Sequence, residues 1–308
     1  MIDDFAAAPQ EHVVKQKVAI SPAIFLNILA LVNAGGVARS HEPLLVIFWA
    51  LSCVRRLHLC KSSLTQSTEE YLFGRCVQGK SKVKGVRPPF FWAVPKLPNL
   101  PDCFDFLQEV AEKMHYPSFI VPARVAQVGT PIRRWLPHPM GHTMTLRILR
   151  RVLVAAGVGE GDAAQYSFNS CRRFLPTLSA VLGFTREESQ AIGNWVDDPA
   201  RGAEAAAPPT MSVHYSDQKA LASGMAKRKA LLKFFDLASK IDSAQDILAG
   251  GGTLLSVDSI TWSDLGKAQE VKKRKREEKK AKKQTAETKQ AKKDKKGKAK
   301  RQGRHGRH

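Results

Sequence analysis

The stretch Glu42-Pro43-Leu44-Leu45-Val46-Ile47-Phe48-Trp49-Ala50-Leu51-Ser52-Cys53-Val54-Arg55-Arg56-Leu57-His58-Leu59 decides the fold class. Glu42-Pro43 opens a helix, and the chain beyond it is apolar on every side through about Leu59. A helix without a polar face belongs inside a core, not on its surface. The run from Leu44 to Val54, 11 residues with one serine, is too short to span a bilayer, which takes about 20. It ends on Arg55-Arg56, charges that are costly beside such a helix unless an anion partners them. The pair also suits a second role, capping the negative end of the helix dipole.

Working outward from this helix, Ser21-Pro22 reads as an N-cap with proline at the first helical position, and Ala23 to Val32 has helical spacing that Gly35-Gly36 should end. On the other side, Tyr71 to Val77 looks like a strand, Gln78 to Lys82 a turn, and Val83 to Val94 a returning strand, together a small hairpin sheet. Pro101 to Met114 reads as a helix with Phe104, Phe106, Leu107 and Val110 on its apolar face. Residues 116–139 are proline-rich and aperiodic and read mostly as loop. Thr143 to Ala156 is a basic amphipathic helix, Phe168 to Leu182 another helix, and Arg186 to Val196 a third, capped by Thr185. Asp197 to Thr210 is an Ala/Pro/Gly-rich insert, helix resumes after Met211–Lys219 to about Ala238, and Gly250-Gly251-Gly252 breaks it. The expected fold is α+β, mainly α, with a small antiparallel β-hairpin sheet. The expected organisation is an N-terminal extension (1–20), one folded domain (21–240), a linker (241–266) and a disordered Lys/Arg-rich tail (267–308).

The chain has 308 residues, 43% of them hydrophobic, which is enough for a real core. Lys+Arg total 49 against 28 Asp+Glu, a net charge of +21. The surplus is concentrated: Lys267 to His308 holds 20 basic and 5 acidic residues, whereas residues 1–266 hold 29 and 23. A polyanion is the natural partner, and nucleic acid is the commonest one. Met1-Ile2-Asp3-Asp4 is acidic and lacks the charged and apolar regions of a secretory signal, so secretion is not expected. The five cysteines (Cys53, Cys60, Cys76, Cys103, Cys171) are odd in number and form no C-x-x-C pair. Neither a disulfide framework nor a zinc ribbon is expected.

Two apparent motifs carry little. Gly157-Val158-Gly159-Glu160-Gly161 has phosphate-loop glycines, but it comes after a helix and misses the G-x-G-x-x-G spacing, so it reads as a helix–helix loop. His138 and His142 flank Pro139 and Gly141 and cannot share a helix turn as metal ligands. No metal and no cofactor is expected.

The informative pattern is an ordered set spread along the chain. Arg55 closes the buried helix, and Lys80 lies in the hairpin turn Gly79-Lys80-Ser81-Lys82-Val83-Lys84. Next come Tyr166-Ser167-Phe168-Asn169-Ser170-Cys171-Arg172-Arg173-Phe174, then Gln190-Ala191-Ile192-Gly193-Asn194-Trp195, and finally Met211-Ser212-Val213-His214-Tyr215. Of the four tyrosines (Tyr71, Tyr116, Tyr166, Tyr215), Tyr215 alone comes after all the other boxes.

This set resembles the catalytic domain of the tyrosine recombinases, the phage-type integrases, over roughly residues 40–220. That family has an arginine ending an apolar helix, a lysine in a β-hairpin, a His-x-x-Arg box opening a helix, a Gly-[His/Trp] box and a C-terminal tyrosine. The resemblance implies that Arg55 and Arg172 are the two catalytic arginines and Lys80 the hairpin lysine, with Lys82 its alternative. Arg173 is one register from Arg172. Asn194 or Trp195 falls in the third box, where Trp195 equally suits core packing, and Tyr215 is the nucleophile. Asn169 stands where the family has histidine, and His58 where it has an acidic residue. The spacing from Trp195 to Tyr215 is longer than usual, and the family's N-terminal DNA-clamping domain does not precede the match.

The residue types suit the chemistry so implied. A tyrosine can hold a phosphodiester as a covalent phosphotyrosyl, so that religation needs no ATP. Two guanidiniums can clamp the non-bridging oxygens, and a lysine can protonate the departing 5′ oxygen. Asn169 donates a hydrogen bond but carries no proton at neutral pH, so an attenuated rate is expected, by about 10²–10⁴. Arg56, Lys82, Lys84, Arg147, Arg150, Arg151 and Arg173 are expected to contact the DNA backbone, as are Lys272, Lys273, Arg274, Lys275 and Arg276 of the tail. Val271 to Arg276 also resembles a nuclear-targeting cluster, so the expected location is the nucleus in a eukaryote and the cytoplasm or nucleoid otherwise. The expected partners are double-stranded DNA and further copies of the chain on it, with no membrane. The alternative is a non-catalytic nucleic-acid-binding protein, a decayed recombinase or an unrelated basic module.

Overall fold

The structure, a computed structural model, describes residues 18–39, 41–60, 62–76, 90–98, 104–114, 122–126, 133–193 and 217–272, together with Arg274 and Glu277. It is mainly helical with a small three-stranded antiparallel sheet. Helix α2 (His41–Ser52) is the axle of the core, buried from Pro43 to Ser52. Its lack of a polar face is the direct cause of that placement. Around it pack α1 (Pro22–Arg39), α5 (His142–Ala155), α7 (Phe168–Arg172), α8 (Phe174–Val181) and strand β3 (Phe90–Pro95).

Helix α1 begins as the sequence predicts, with Ser21 Oγ accepting the Ile24 amide at 3.3 Å. It does not stop at Gly35-Gly36 but continues to Arg39. The segment 247–252 lies on that turn: Asn33 Nδ2 donates to the Ile247 and Gly251 carbonyls at 3.1 and 3.0 Å. Gly252 comes so close that a Cβ there would sit 2.8 Å from Ala34 Cβ. Tertiary contact here overrides the roughly 1 kcal/mol that each helical glycine costs.

The expected hairpin is present as β2 (Tyr71–Cys76) and β3, in register from Tyr71↔Pro95 to Cys76↔Phe90. The connection between them, with Lys80, Lys82 and Lys84, lies outside the described residues. A further strand, β1 (Ser62–Ser67), adds to β2. Its sequence, Ser-Ser-Leu-Thr-Gln-Ser, is too polar to announce itself. Trp92 fixes the sheet to the helices, since its indole Nε1 donates to Ser62 Oγ at 3.2 Å, and Ser62 Oγ donates to the His58 carbonyl at 2.7 Å.

Helix α4 (Asp105–Met114) buries Phe106 and Leu107, and Phe104 just before it is buried with them. The side chain of Val110 lies outside the described residues. The loop expected over 116–139 is corrected in part: β4 (Pro122–Ala126) and β5 (Arg133–Pro139) pair antiparallel, with an irregularity at Pro122/Ala123. Proline is tolerated in a two-stranded ribbon because each strand has a free edge.

The single helix expected from Phe168 to Leu182 is broken at Arg173 into α7 and α8. After α6 (Glu160–Ala163), Ser170 Oγ accepts the Ser167 amide at 3.1 Å and starts α7. Helix α9 (Arg186–Gly193) carries the expected Thr185 cap, with Thr185 Oγ1 accepting the Glu188 amide and Glu188 Oε2 accepting the Thr185 amide, at 3.3 and 3.1 Å. The insert 197–210 lies outside the described residues.

Helix α10 (Asp217–Ala238) packs on β3 and α9. The linker expected at 241–266 is instead part of the fold. Helix α11 (Asp242–Leu248) buries Ala244 and Ile247, Ile260 and Leu265 are fully buried, and a last helix, α12, runs over 262–272. The fully buried Asn27 holds this segment: its Nδ2 donates to the carbonyls of Ala156 and Leu255 at 2.9 and 2.8 Å, and its Oδ1 accepts the Leu255 amide at 2.7 Å. Trp262 in α12 meets Phe174, which stacks on Phe25 with ring centroids 4.1 Å apart. The tail expected at 267–308 therefore begins helical; 278–308 lie outside the described residues. Among the described residues, no helix is long and apolar enough to cross a membrane.

Candidate functional site

The candidate site is built on the way the chain leaves α2. The sequence predicts one helix through Leu59, but α2 stops at Ser52, and Cys53 takes φ +55°, the only non-glycine positive φ among the described residues. A side chain in this region costs about 1 kcal/mol or more, so surrounding contacts must hold it. Arg55 comes next but one in extended conformation, and its carbonyl accepts the amides of His58 and Leu59 at 2.8 and 3.0 Å. Those bonds start the short helix α3 (Arg56–Leu59). Arg55 thus begins a helix instead of ending one, and its side chain is exposed.

The turn is held by cations from two distant parts of the chain. Arg172, in the last turn of α7, donates its Nε to the Cys53 carbonyl at 2.8 Å. Lys227, fully buried in α10, donates its Nζ to the Ser52 carbonyl at 2.9 Å and to the Ala93 carbonyl of β3 at 2.7 Å. The last carbonyls of a helix have no partner within it and carry its negative dipole end. The capping role open to Arg55 and Arg56 in the sequence therefore falls to Arg172 and Lys227.

The electrostatics reflect this crowding. Burial pulls the Arg172 guanidinium below its ordinary value, the like charge of Arg55 pulls it further, and the Cys53 sulfur opposes both. Burial brings Lys227 down to about 8. The Cys53 thiol is pushed up by burial, against the pull of Lys227 and Arg172. Three cationic side chains thus surround one turn, and two of them, Arg55 and Arg172, are near enough to repel. Such an arrangement is relieved by an anion.

Of the other expected catalytic residues, Asn169 alone is among the described residues. Asn169 is exposed, one turn before Arg172 on α7, so the two share a face of that short helix. Lys80, Asn194, Trp195 and Tyr215 lie outside the described residues, as do Lys82 and Lys84. Helix α9 ends at Gly193, just before Asn194 and Trp195, and α10 begins at Asp217, two residues after Tyr215.

The expected DNA-backbone contacts divide. Arg147 and Arg173 are exposed. Arg150 is exposed while its Nη2 donates to the Ala164 carbonyl at 3.1 Å. Two more have partners within the chain. Arg151 is committed to Glu42 in a two-pronged pair at 2.9 and 2.6 Å, and half-buried Arg56 donates to the Met140 carbonyl and Cys60 Sγ at 3.4 and 3.5 Å. Both arginines tie elements together. Lys272 pairs with Asp236 of α10, Arg274 is exposed, and Lys273, Lys275 and Arg276 lie outside the described residues. Residues 157–159 are a helix–helix loop whose Gly157 has φ +91°, and Glu160-Gly161 open α6. His138 and His142 are both exposed, and among the described residues no three His, Cys, Asp or Glu side chains are grouped to hold a metal ion.

Lys227 stands outside the set that sequence reasoning singles out. A signal is present: it occupies the apolar stripe Ala220, Gly224, Lys227, Leu231, Phe234, Ala238, where a charge must be buried. Cys53 carries no such signal, because positive φ in a non-glycine residue is imposed by its surroundings.

The chain matches no family model, no curated protein and no solved structure.

Proposed function

We propose that the chain breaks and rejoins DNA strands through a covalent 3′-phosphotyrosyl intermediate on Tyr215, with Arg55 and Arg172 gripping the scissile phosphate. The observation that carries this reading is the convergence of two guanidiniums, 117 positions apart in sequence, on the single turn at Cys53. One is exposed and the other half-buried. Their mutual repulsion is offset once a phosphate dianion or diester lies between them. The order of the remaining boxes supports the chemistry: the β2–β3 connection carries Lys80, and the chain between α9 and α10 carries Asn194, Trp195 and Tyr215.

In this reaction the Tyr215 hydroxyl attacks phosphorus and gives up its proton to solvent water, while the P–O5′ bond breaks. The departing 5′ oxygen takes a proton from Lys80. Arg55 and Arg172 offset the charge that develops on the non-bridging oxygens. Rejoining reverses each step, so no nucleotide is consumed. Asn169 donates a hydrogen bond to the same phosphate without moving a proton, which slows the reaction.

A second reading, a nucleic-acid-binding protein without catalysis, is favoured by one feature: exposed Asn169 stands where a proton-carrying imidazole is expected. A nicked suicide duplex decides between them. The proposed function predicts a covalent protein–DNA adduct that Tyr215→Phe abolishes and Asn169→His increases. Duplex binding that weakens in Arg55→Ala and Arg172→Ala, with no adduct from any substrate, gives the second reading. Binding and trapping indifferent to both arginines would overturn the site itself.

A further inference from the structure

Lys227 is the one charged side chain among the largest fully buried side chains, and it does not reach the surface where DNA would lie. Its placement demands a physical reason, because an apolar residue on that stripe would cost less than a buried ammonium. Its two partners are the carbonyl of Ser52, the final residue of α2, and that of Ala93, in the middle of β3. The next residue is Cys53, whose left-handed backbone aims its carbonyl at Arg172 and sends the chain on to Arg55.

We infer that Lys227 is a positioning residue for the arginine pair: its ammonium clamps the end of α2 to the sheet and so fixes the Cys53 turn on which Arg172 is seated and from which Arg55 is presented. This inference deepens the proposed DNA site and rests on that reading for its biological use, though not for its geometry. The carbonyls of Ser52 and Ala93 come from elements 41 positions apart, and without a donor between them both would be buried acceptors left unmet. Van der Waals packing would leave the turn free to relax toward an ordinary right-handed residue, carrying Arg55 with it. A clamp of two charge-assisted bonds does not.

The groups facing Lys227 are few. From the end of α2 it faces the Cys53 thiol, from β3 the Ala93 carbonyl, and α7 brings Arg172 against the same thiol. Loss of the Lys227 proton turns two charge-assisted bonds into weaker neutral ones and removes one cation from beside Cys53. With Lys227 brought down to about 8, this change falls in an accessible range.

The test uses the full chain and tracks the carbon-13 resonance of Arg172 Cζ, assigned by its loss in Arg172→Lys, from pH 6.5 to 9.5. A single step near pH 8 is expected in the wild-type chain and none in Lys227→Met. At pH 7, Lys227→Met is expected to bind a short DNA duplex about tenfold more weakly, the loss of one charge-assisted contact at the arginines. Absence of the wild-type step, the same step in Lys227→Met, or wild-type duplex affinity in a cooperatively folded Lys227→Met each overturns the inference. Should Lys227→Met fail to fold, the wild-type step decides. A step that vanishes in Lys227→Met in a chain that binds no DNA supports the clamp and overturns the proposed function instead.

Discussion

The Lys227 ammonium is charged at neutral pH although it is fully buried, and that has a thermodynamic signature. Folding lowers it from the ordinary 10.5 to about 8. Between those values the unfolded chain binds more protons than the native one, so unfolding free energy rises with pH across the window. Below pH 8 both states are charged and the full burial cost is present. Urea unfolding of wild type and Lys227→Met at pH 7.5, 9 and 10.5 should show the wild type gaining on the variant by up to roughly 3 kcal/mol. A difference that stays flat with pH would mean that folding leaves the Lys227 ammonium at its ordinary value. Of the arginines, Arg55 and Arg172 can be picked out in the sequence from their boxes. Their meeting at Cys53 cannot, because the turn owes its φ to Lys227 and Arg172, which are remote in sequence.

At the scale of elements, what is legible has local causes. The Ser21 cap, the apolar α2, the β2–β3 pair and the Thr185–Glu188 box each declare themselves within a few residues. Thr185→Ala should cost about 1 kcal/mol of stability, read as a shift in the urea midpoint. The elements that escape a linear reading depend on neighbours. Polar β1 exists because β2 offers it a hydrogen-bonding edge, and α1 runs through Gly35-Gly36 because residues 247–252 pack on it. Gly74 in β2 shows how tightly the sheet is fitted: a Cβ there would lie 2.0 Å from the Trp92 ring. Gly74→Ala should therefore destabilise by about 1–3 kcal/mol or more, since Trp92 is itself held by Ser62 and cannot yield freely. A thermal melt checks this, and an unchanged midpoint would mean that the indole moves.

For the whole molecule, the aromatic cluster of Phe25, Phe174, Phe234 and Trp262 joins α1, α8, α10 and α12, so the C-terminal segment closes the core that α2 occupies. Phe174→Ala should cost roughly 3–5 kcal/mol, measured by chemical denaturation, and a loss below 1 kcal/mol would show that the cluster is peripheral. The charge asymmetry acts separately from this core. Removing residues 278–308 should flatten the salt dependence of DNA binding while leaving the Arg55/Arg172 contribution in place. Composition and periodicity alone established a helical, core-forming, cationic chain with a small hairpin sheet, because hydrophobic spacing and net charge are local or summed properties. Folding in three dimensions settled the broken end of α2, the cations that cap it and the recruitment of residues 241–272 into the core. Each of these rests on hydrogen bonds between groups separated by tens to hundreds of positions, such as Asn27 with Leu255 and Lys227 with Ser52, and no pattern along the chain encodes which distant partner will satisfy a buried polar group.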